Sequence, residues 1–137
     1  MQRFFILTLA LISLAIIGCS TVPANQPDPV KVWHVVIVRL KNPGDPDAQK
    51  KLLEAGNTLR QIKSVCVLYA GKAIKTDRAH VDNNYDVAFN IGFESAEDMA
   101  AYVKDPIHIK TAKEILMPLA QDYTVFDFYN ESLPRKD

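Results

Sequence analysis

Between residues 32 and 41 apolar side chains occupy both parities: Trp33, Val35 and Ile37 on one, and Val36, Val38 and Leu40, with His34 among them, on the other. Such a run is a strand with both faces covered. The turn Asn42-Pro43-Gly44-Asp45-Pro46 also caps the helix that follows, in which Ala48, Leu52, Ala55, Leu59 and Ile62 recur at intervals of four and three. Gly56 beside Ala55 lets that helix approach its neighbours closely. Residues 65–73 read as a second strand, with Tyr69 and Gly71 marking a bend or close approach. Residues 75–84, with Asp77, Arg78, His80 and Asp82, read as a solvated loop. Residues 85–93 alternate strictly and set Tyr85, Val87, Phe89, Ile91 and Phe93 on one face.

A kinked helical pair comes next. Ser95 with Asp98 three residues later opens its first piece, whose inward face is Met99, Tyr102 and Val103. Asp105 is the N-cap and Pro106 the first residue of the second piece. There His108 lies in line with Ala112, Ile115, Leu116 and Leu119, so its imidazole points inward, toward the phenol of Tyr102. Residues 123–129 form the last strand. The order strand, helix, strand, strand, helix, strand is most economically an α+β, ferredoxin-like βαββαβ unit: a four-stranded antiparallel sheet with its helices on one face. Helices on one side leave the Trp33, Val35 and Ile37 face uncovered, and a second copy of the chain is the simplest cover.

The first residues have a different character. Arg3 precedes an apolar run from Phe4 to Ile17 that suits a signal peptide better than a spanning helix. The run ends in Ile16-Ile17-Gly18-Cys19, which resembles the bacterial lipobox and implies lipid on Cys19. The expected division is a lipoprotein signal peptide over 1–18, a lipidated N-terminus and tether over 19–31, the folded domain over 32–130 and a tail over 131–137. Pro23, Pro27 and Pro29 suit a solvated tether, on the order of 30 Å long. The expected location is the cell envelope, at the outer membrane facing the periplasm if the cell has two membranes. Of 16 basic and 16 acidic residues only Arg3 falls in the signal peptide, so the mature chain is near minus one, which gives no footing for a nucleic-acid partner. Cys66 is the second of two cysteines, and its neighbours Val65 and Val67 suggest a buried, inert thiol. Phosphate-loop, Cys-x-x-Cys, His-Glu-x-x-His and Gly-x-Ser-x-Gly motifs are all missing, and no cofactor or metal is expected.

His34-Val35-Val36-Ile37-Val38, Tyr69-Ala70-Gly71, Tyr85-Asp86-Val87-Ala88, Tyr102 through Asp105-Pro106-Ile107-His108, and Val125-Phe126-Asp127-Phe128 together resemble the stress-responsive dimeric A/B barrel (Dabb) family. The resemblance implies a homodimer in which the open sheet faces of two subunits form a barrel. One branch, the plant polyketide cyclases, uses residues that correspond to His34, Tyr102, His108 and Asp127, while Asp105 stands where those cyclases have another histidine. By that likeness His108 is the base for an aldol, Asp127 orients an imidazole, and Tyr102 and His34 hold carbonyl oxygens. The preferred reading is a lipid-anchored homodimer that binds a small apolar or aromatic molecule or acts in an envelope stress response without catalysis. The alternative is a cyclase-like or other lyase using His108 as general base. A haem-handling or monooxygenase relative, with His108 as axial ligand, is a third.

Overall fold

A computed structural model of the chain describes residues 29–131. The expected signal peptide, the lipidated Cys19 and the tether up to residue 28 lie outside the described residues. So does the tail from residue 132.

The described chain runs β1 (Val32–Leu40), α1 (Pro46–Leu59), β2 (Val67–Lys72), β3 (Val87–Phe93), α2 (Ala96–Lys104), α3 (Pro106–Thr111) and β4 (Ala120–Tyr129). The sheet is antiparallel in the order β2-β3-β1-β4, with β1 and β3 at its centre. Along β1 burial alternates: Val32, His34, Val36, Val38 and Leu40 are buried beneath the helices, and the residues between them are half-buried on the open face. The core lies between sheet and helices and is built around Leu40, Leu52, Leu68, Ile91, Phe93 and Tyr102. Ala48, Leu52, Ala55 and Leu59 supply the inward stripe of α1, and Ile62 is buried just beyond its end.

Local chemistry sets the element ends. Asp45 caps α1 by accepting from the N–H groups of Asp47 and Ala48, with Pro46 in the first turn, where a missing N–H costs nothing. Ser95 accepts from the N–H of Asp98, and its hydroxyl donates back to that carboxylate. Gly56 allows α1 to sit on the sheet, because a Cβ there would lie 3.3 Å from the Phe89 ring. At Gly92 the need is sharper: a Cβ would come within 2.8 Å of Val30 and 2.9 Å of Val67.

Several expectations are corrected. Val30 and Lys31, placed in the tether, belong to the domain: Val30 is buried and Lys31 donates its N–H to the Phe93 carbonyl. The second strand is shorter than 65–73, with no bend at Gly71, which pairs with Ala88 in regular register and faces open space. Cys66 precedes that strand and is exposed rather than buried, because its apolar neighbours lie at the sheet's edge. Val103 is 46% exposed, since the turn of α2 that buries Tyr102 carries the next residue past the core. The last strand begins at Ala120, three residues earlier than expected. The preceding segment leaves α3 through a π-helical turn, Ala112–Leu116, and a final α turn, Met117–Leu119. Met117 donates its N–H to Ala112, five residues back, next to Pro118, which has no N–H to give.

Asp86 is the polar keystone of the β1–α1 turn. Its buried carboxylate accepts from the backbone N–H of Leu40 at 2.8 Å and of Gly44 at 2.6 Å. Removing it leaves two donors to find other partners. Asp86→Ala is expected to destabilise the fold by about 2 to 4 kcal/mol, and Asp86→Asn by less, in denaturant titrations.

Candidate functional site between the helices and the sheet

His34 lies mid-strand in β1 on the helix-covered face, and antiparallel pairing sets Asp127 of β4 directly opposite. Its Nδ1 lies 2.6 Å from Asp127 Oδ1. Where the carboxylate accepts that bond, Nδ1 carries the hydrogen and Nε2 is the nitrogen left for a ligand. Sequence alone suggests a buried Asp127, yet its side chain is 47% exposed against 10% for His34. The reason is position: β4 is an edge strand, and Tyr123, Val125 and Tyr129 on the same face are also exposed.

The kink between α2 and α3 prepares the second imidazole. In an unbroken helix the carbonyls of Tyr102 and Val103 would accept from residues 106 and 107. Pro106 has no N–H, and the N–H of Ile107 is taken by the capping Asp105 carboxylate. Asp105 N–H turns back to the Tyr102 carbonyl. The Val103 carbonyl accepts instead from His108 Nδ1 at 3.0 Å. A carbonyl can only accept, so Nδ1 holds the hydrogen and Nε2 carries the lone pair. His108 has its pKa lowered from the ordinary 6.5, chiefly because burial penalises the imidazolium, with the charge of His34 adding to that effect. The Val103 carbonyl and Asp105 pull the other way.

Tyr102 stands between the two imidazoles and is 1% exposed. Its ring centroid is 5.8 Å from His34, 4.5 Å from His108 and 5.2 Å from Phe93. Burial pushes its phenol well above the ordinary range, so it stays protonated and can donate. The four residues singled out in the sequence are thus brought together: His34, Tyr102 and His108 line one cavity of about 50 Å³, and Asp127 reaches it through His34. Thr111, buried on the same wall, escapes the sequence reading, although it lies one helical turn beyond His108 and its spacing marks it. The remaining wall is aliphatic and aromatic, including Leu52, Leu59 and Phe89. A space this small admits a few heavy atoms beside the polar groups, and a haem macrocycle far exceeds it. Among the described residues no group of three or more His, Cys, Asp or Glu side chains is placed to hold a metal.

The chain matches the family described as the stress responsive A/B barrel domain over residues 32–130. A relative, a stress-response A/B barrel domain-containing protein of Arabidopsis thaliana, is 21% identical over 115 residues, which are 84% of this chain and 43% of that protein. The chain therefore spans less than half of that relative's length. Among solved structures, the hydroxynitrile lyase of Passiflora edulis superposes with a TM-score of 0.65 at 20% identity, covering 78% of this chain and 100% of the other. A dimeric protein of unknown function with a ferredoxin-like fold from Bacteroides fragilis gives 0.59 at 18% identity, over 72% and 95%. These likenesses show the ferredoxin-like α+β fold.

The tautomer and the charge state of His108 can both be measured. Histidine ¹⁵N spectra near pH 7 are expected to show His108 neutral with hydrogen on Nδ1, titrating below its ordinary 6.5. On acidification the unfolded chain then takes up this proton first. The contribution of His108 to stability is complete above about pH 6.5 and is lost as pH falls through the native value. A midpoint above 6.5 would overturn this assignment.

Proposed function

The chain belongs to the stress responsive A/B barrel family, and within it we propose that this protein is a homodimer whose cavity takes a small, largely apolar molecule bearing one carbonyl or hydroxyl oxygen and moves a proton on it. The reaction class is lyase- or cyclase-like. The observation that carries this reading is His108: a neutral imidazole whose Nδ1 is committed to Val103, leaving Nε2 as a base in an apolar cavity beside a protonated phenol. His108 takes a proton from the bound molecule and becomes imidazolium, and the electron pair left behind moves to the substrate oxygen or breaks the bond beside it. Tyr102 hydrogen-bonds the oxygen where charge develops or recedes. His34, its Nδ1 held by Asp127, leaves Nε2 to accept from a hydroxyl of the bound molecule. The imidazolium then returns its proton to the product. A hydroxynitrile lyase on the same fold supports this class of chemistry.

A second reading, passive retention of a small apolar or aromatic molecule, is favoured by the mainly hydrocarbon wall of the cavity. Dimerisation is supported by the apolar open face, where Phe126 is 56% and Phe128 50% exposed, and by solved neighbours described as dimeric. Lipid anchoring through Cys19 is supported by Ile16-Ile17-Gly18-Cys19 after the apolar run.

Small aliphatic hydroxynitriles, cleaved to a carbonyl compound and cyanide, and small aliphatic ketones, read by exchange of the proton beside the carbonyl, are suitable probes. With a turned-over probe, His108→Ala and His108→Gln are expected to keep the fold and lose about a hundredfold or more in rate. Activity should fall as pH drops through the His108 midpoint, which burial holds below the ordinary 6.5. If no probe turns over while native mass spectrometry finds a ligand retained by wild type and by His108→Gln, the passive reading replaces the catalytic one. Separately, Cys19→Ser is expected to leave an unprocessed or soluble product without lipid label, and a variant that is still lipid-labelled and membrane-anchored would remove the anchor.

A further inference from the structure

On β1 the residues flanking His34 are Trp33 and Val35, and on β4 those flanking Asp127 are Phe126 and Phe128. The register pairs Trp33 with Phe128, His34 with Asp127, and Val35 with Phe126. Since successive side chains on a strand point to opposite faces, the His34–Asp127 pair and these four apolar residues are two sides of one patch of sheet. The pair faces the cavity and the quartet faces outward.

This patch lies at the sheet's least supported margin. β4 is an edge strand, exposed on the helix side at Tyr123, Val125 and Tyr129 and on the open side at Phe126 and Phe128. Polar contacts fasten its two ends: Arg39 donates to Asp122 and Thr124 near the start, and Asn130 donates to the Val30 carbonyl at the finish. The middle, where Asp127 sits, depends on the ladder to β1 and on whatever lies over the quartet.

We propose that a second copy of the chain, packed on the open face, holds Asp127 against His34, so that Trp33, Val35, Phe126 and Phe128 act as positioning residues for the cavity site from the reverse side of the sheet. The occupant is a second copy because the quartet continues into an open face carrying Ile37, Tyr69, Gly71 and Ala88, and several solved structures of this fold are dimers. Alone, β4 can bend or slip at its centre and the 2.6 Å contact opens. Within a dimer the quartet is clamped and the carboxylate stays in place. The inference rests on the homodimer proposed above and adds that the dimer controls the site.

The signal to follow is the His34 imidazole N–H resonance in ¹⁵N-histidine-labelled full chain, assigned by its loss in Asp127→Asn. A proton held in so short a bond exchanges slowly with water and gives a sharp line, whereas one released broadens away. The interface is then broken from its far side with Tyr69→Arg, adding Ala88→Arg if that variant still dimerises. Both lie on β2 and β3, leaving the quartet and the His34–Asp127 pair unaltered. The expected result is a folded monomer by sedimentation and circular dichroism in which the His34 line is lost, and its return where a raised protein concentration restores the dimer. A folded monomer that keeps the line overturns the coupling while leaving the dimer reading intact. A wild-type chain that is monomeric at all concentrations overturns both. Phe126→Ser gives a second test, since a dimer of that variant with an unaltered line also counts against the clamp.

Discussion

A slip of one residue between β1 and β4 would turn Asp127 to the open face and bring Phe126 or Phe128 into the cavity. A slip between β1 and β3 would cost packing and the two bonds of Asp86, and the β1–β4 slip would leave His34 buried without its carboxylate. β1 is apolar at both parities, so its own pattern does not choose the phase. The polar cross-strand contacts do, His34 with Asp127 on one face and Arg39 with Asp122 and Thr124 on the other. Asp86 and the glycine at 92 set the neighbours of β1 at matching distances, one by tying down the turn after it and the other by letting Val30 and Val67 close over the sheet. The site is thus a consequence of strand register before it is a matter of side-chain chemistry.

The helical wall of the cavity follows a separate logic. A proline in the middle of a helical segment removes one N–H, and its capping aspartate diverts another, so carbonyls at the end of α2 need new partners. The backbone supplies one through Asp105 and a side chain supplies the other through His108. One bond therefore serves two ends: it completes the hydrogen bonding of a kink and it fixes which nitrogen of an imidazole is free. An unkinked helix would satisfy its own carbonyls and leave that ring free to rotate. The π-helical turn ahead of Pro118 is a further break in the same segment, and Leu116, within it, helps to close the cavity.

Most of this architecture is legible in the sequence because it rests on periodicities of two and of about 3.6. The two-sided strand, the α1 stripe, the Ser95 and Asp105 caps and the inward direction of His108 all follow from spacing alone. What spacing could not give is where the helices stop covering the sheet. Asp127 between two phenylalanines reads as buried, but burial at an edge strand depends on what lies across it. Cys66 and Val103 fail for the same reason: apolar neighbours in sequence are no guarantee of neighbours in space. Val30 and Lys31 read as tether because Pro29 precedes them, whereas Val30 is buried against a glycine that admits it from a distant strand. Asp86 is visible as a residue of a motif, yet its two backbone partners lie more than forty positions away, beyond any local signal.

The two histidines of the site are held by unlike partners, and that difference decides what each can do. His34 faces a carboxylate across a strand pair, and His108 faces a carbonyl across a helix kink. A carboxylate can balance an imidazolium, while a carbonyl dipole offsets only part of the cost of charging a ring in a largely hydrocarbon cavity. His108 is therefore the ring kept neutral, with the charge of His34 further opposing its protonation. Tyr102 sits between them with its proton retained by burial. A small molecule entering this space meets a neutral base, a phenol donor and an imidazole backed by a carboxylate. In the proton transfer proposed above, that asymmetry separates the ring that acts as base from the ring that orients the bound molecule.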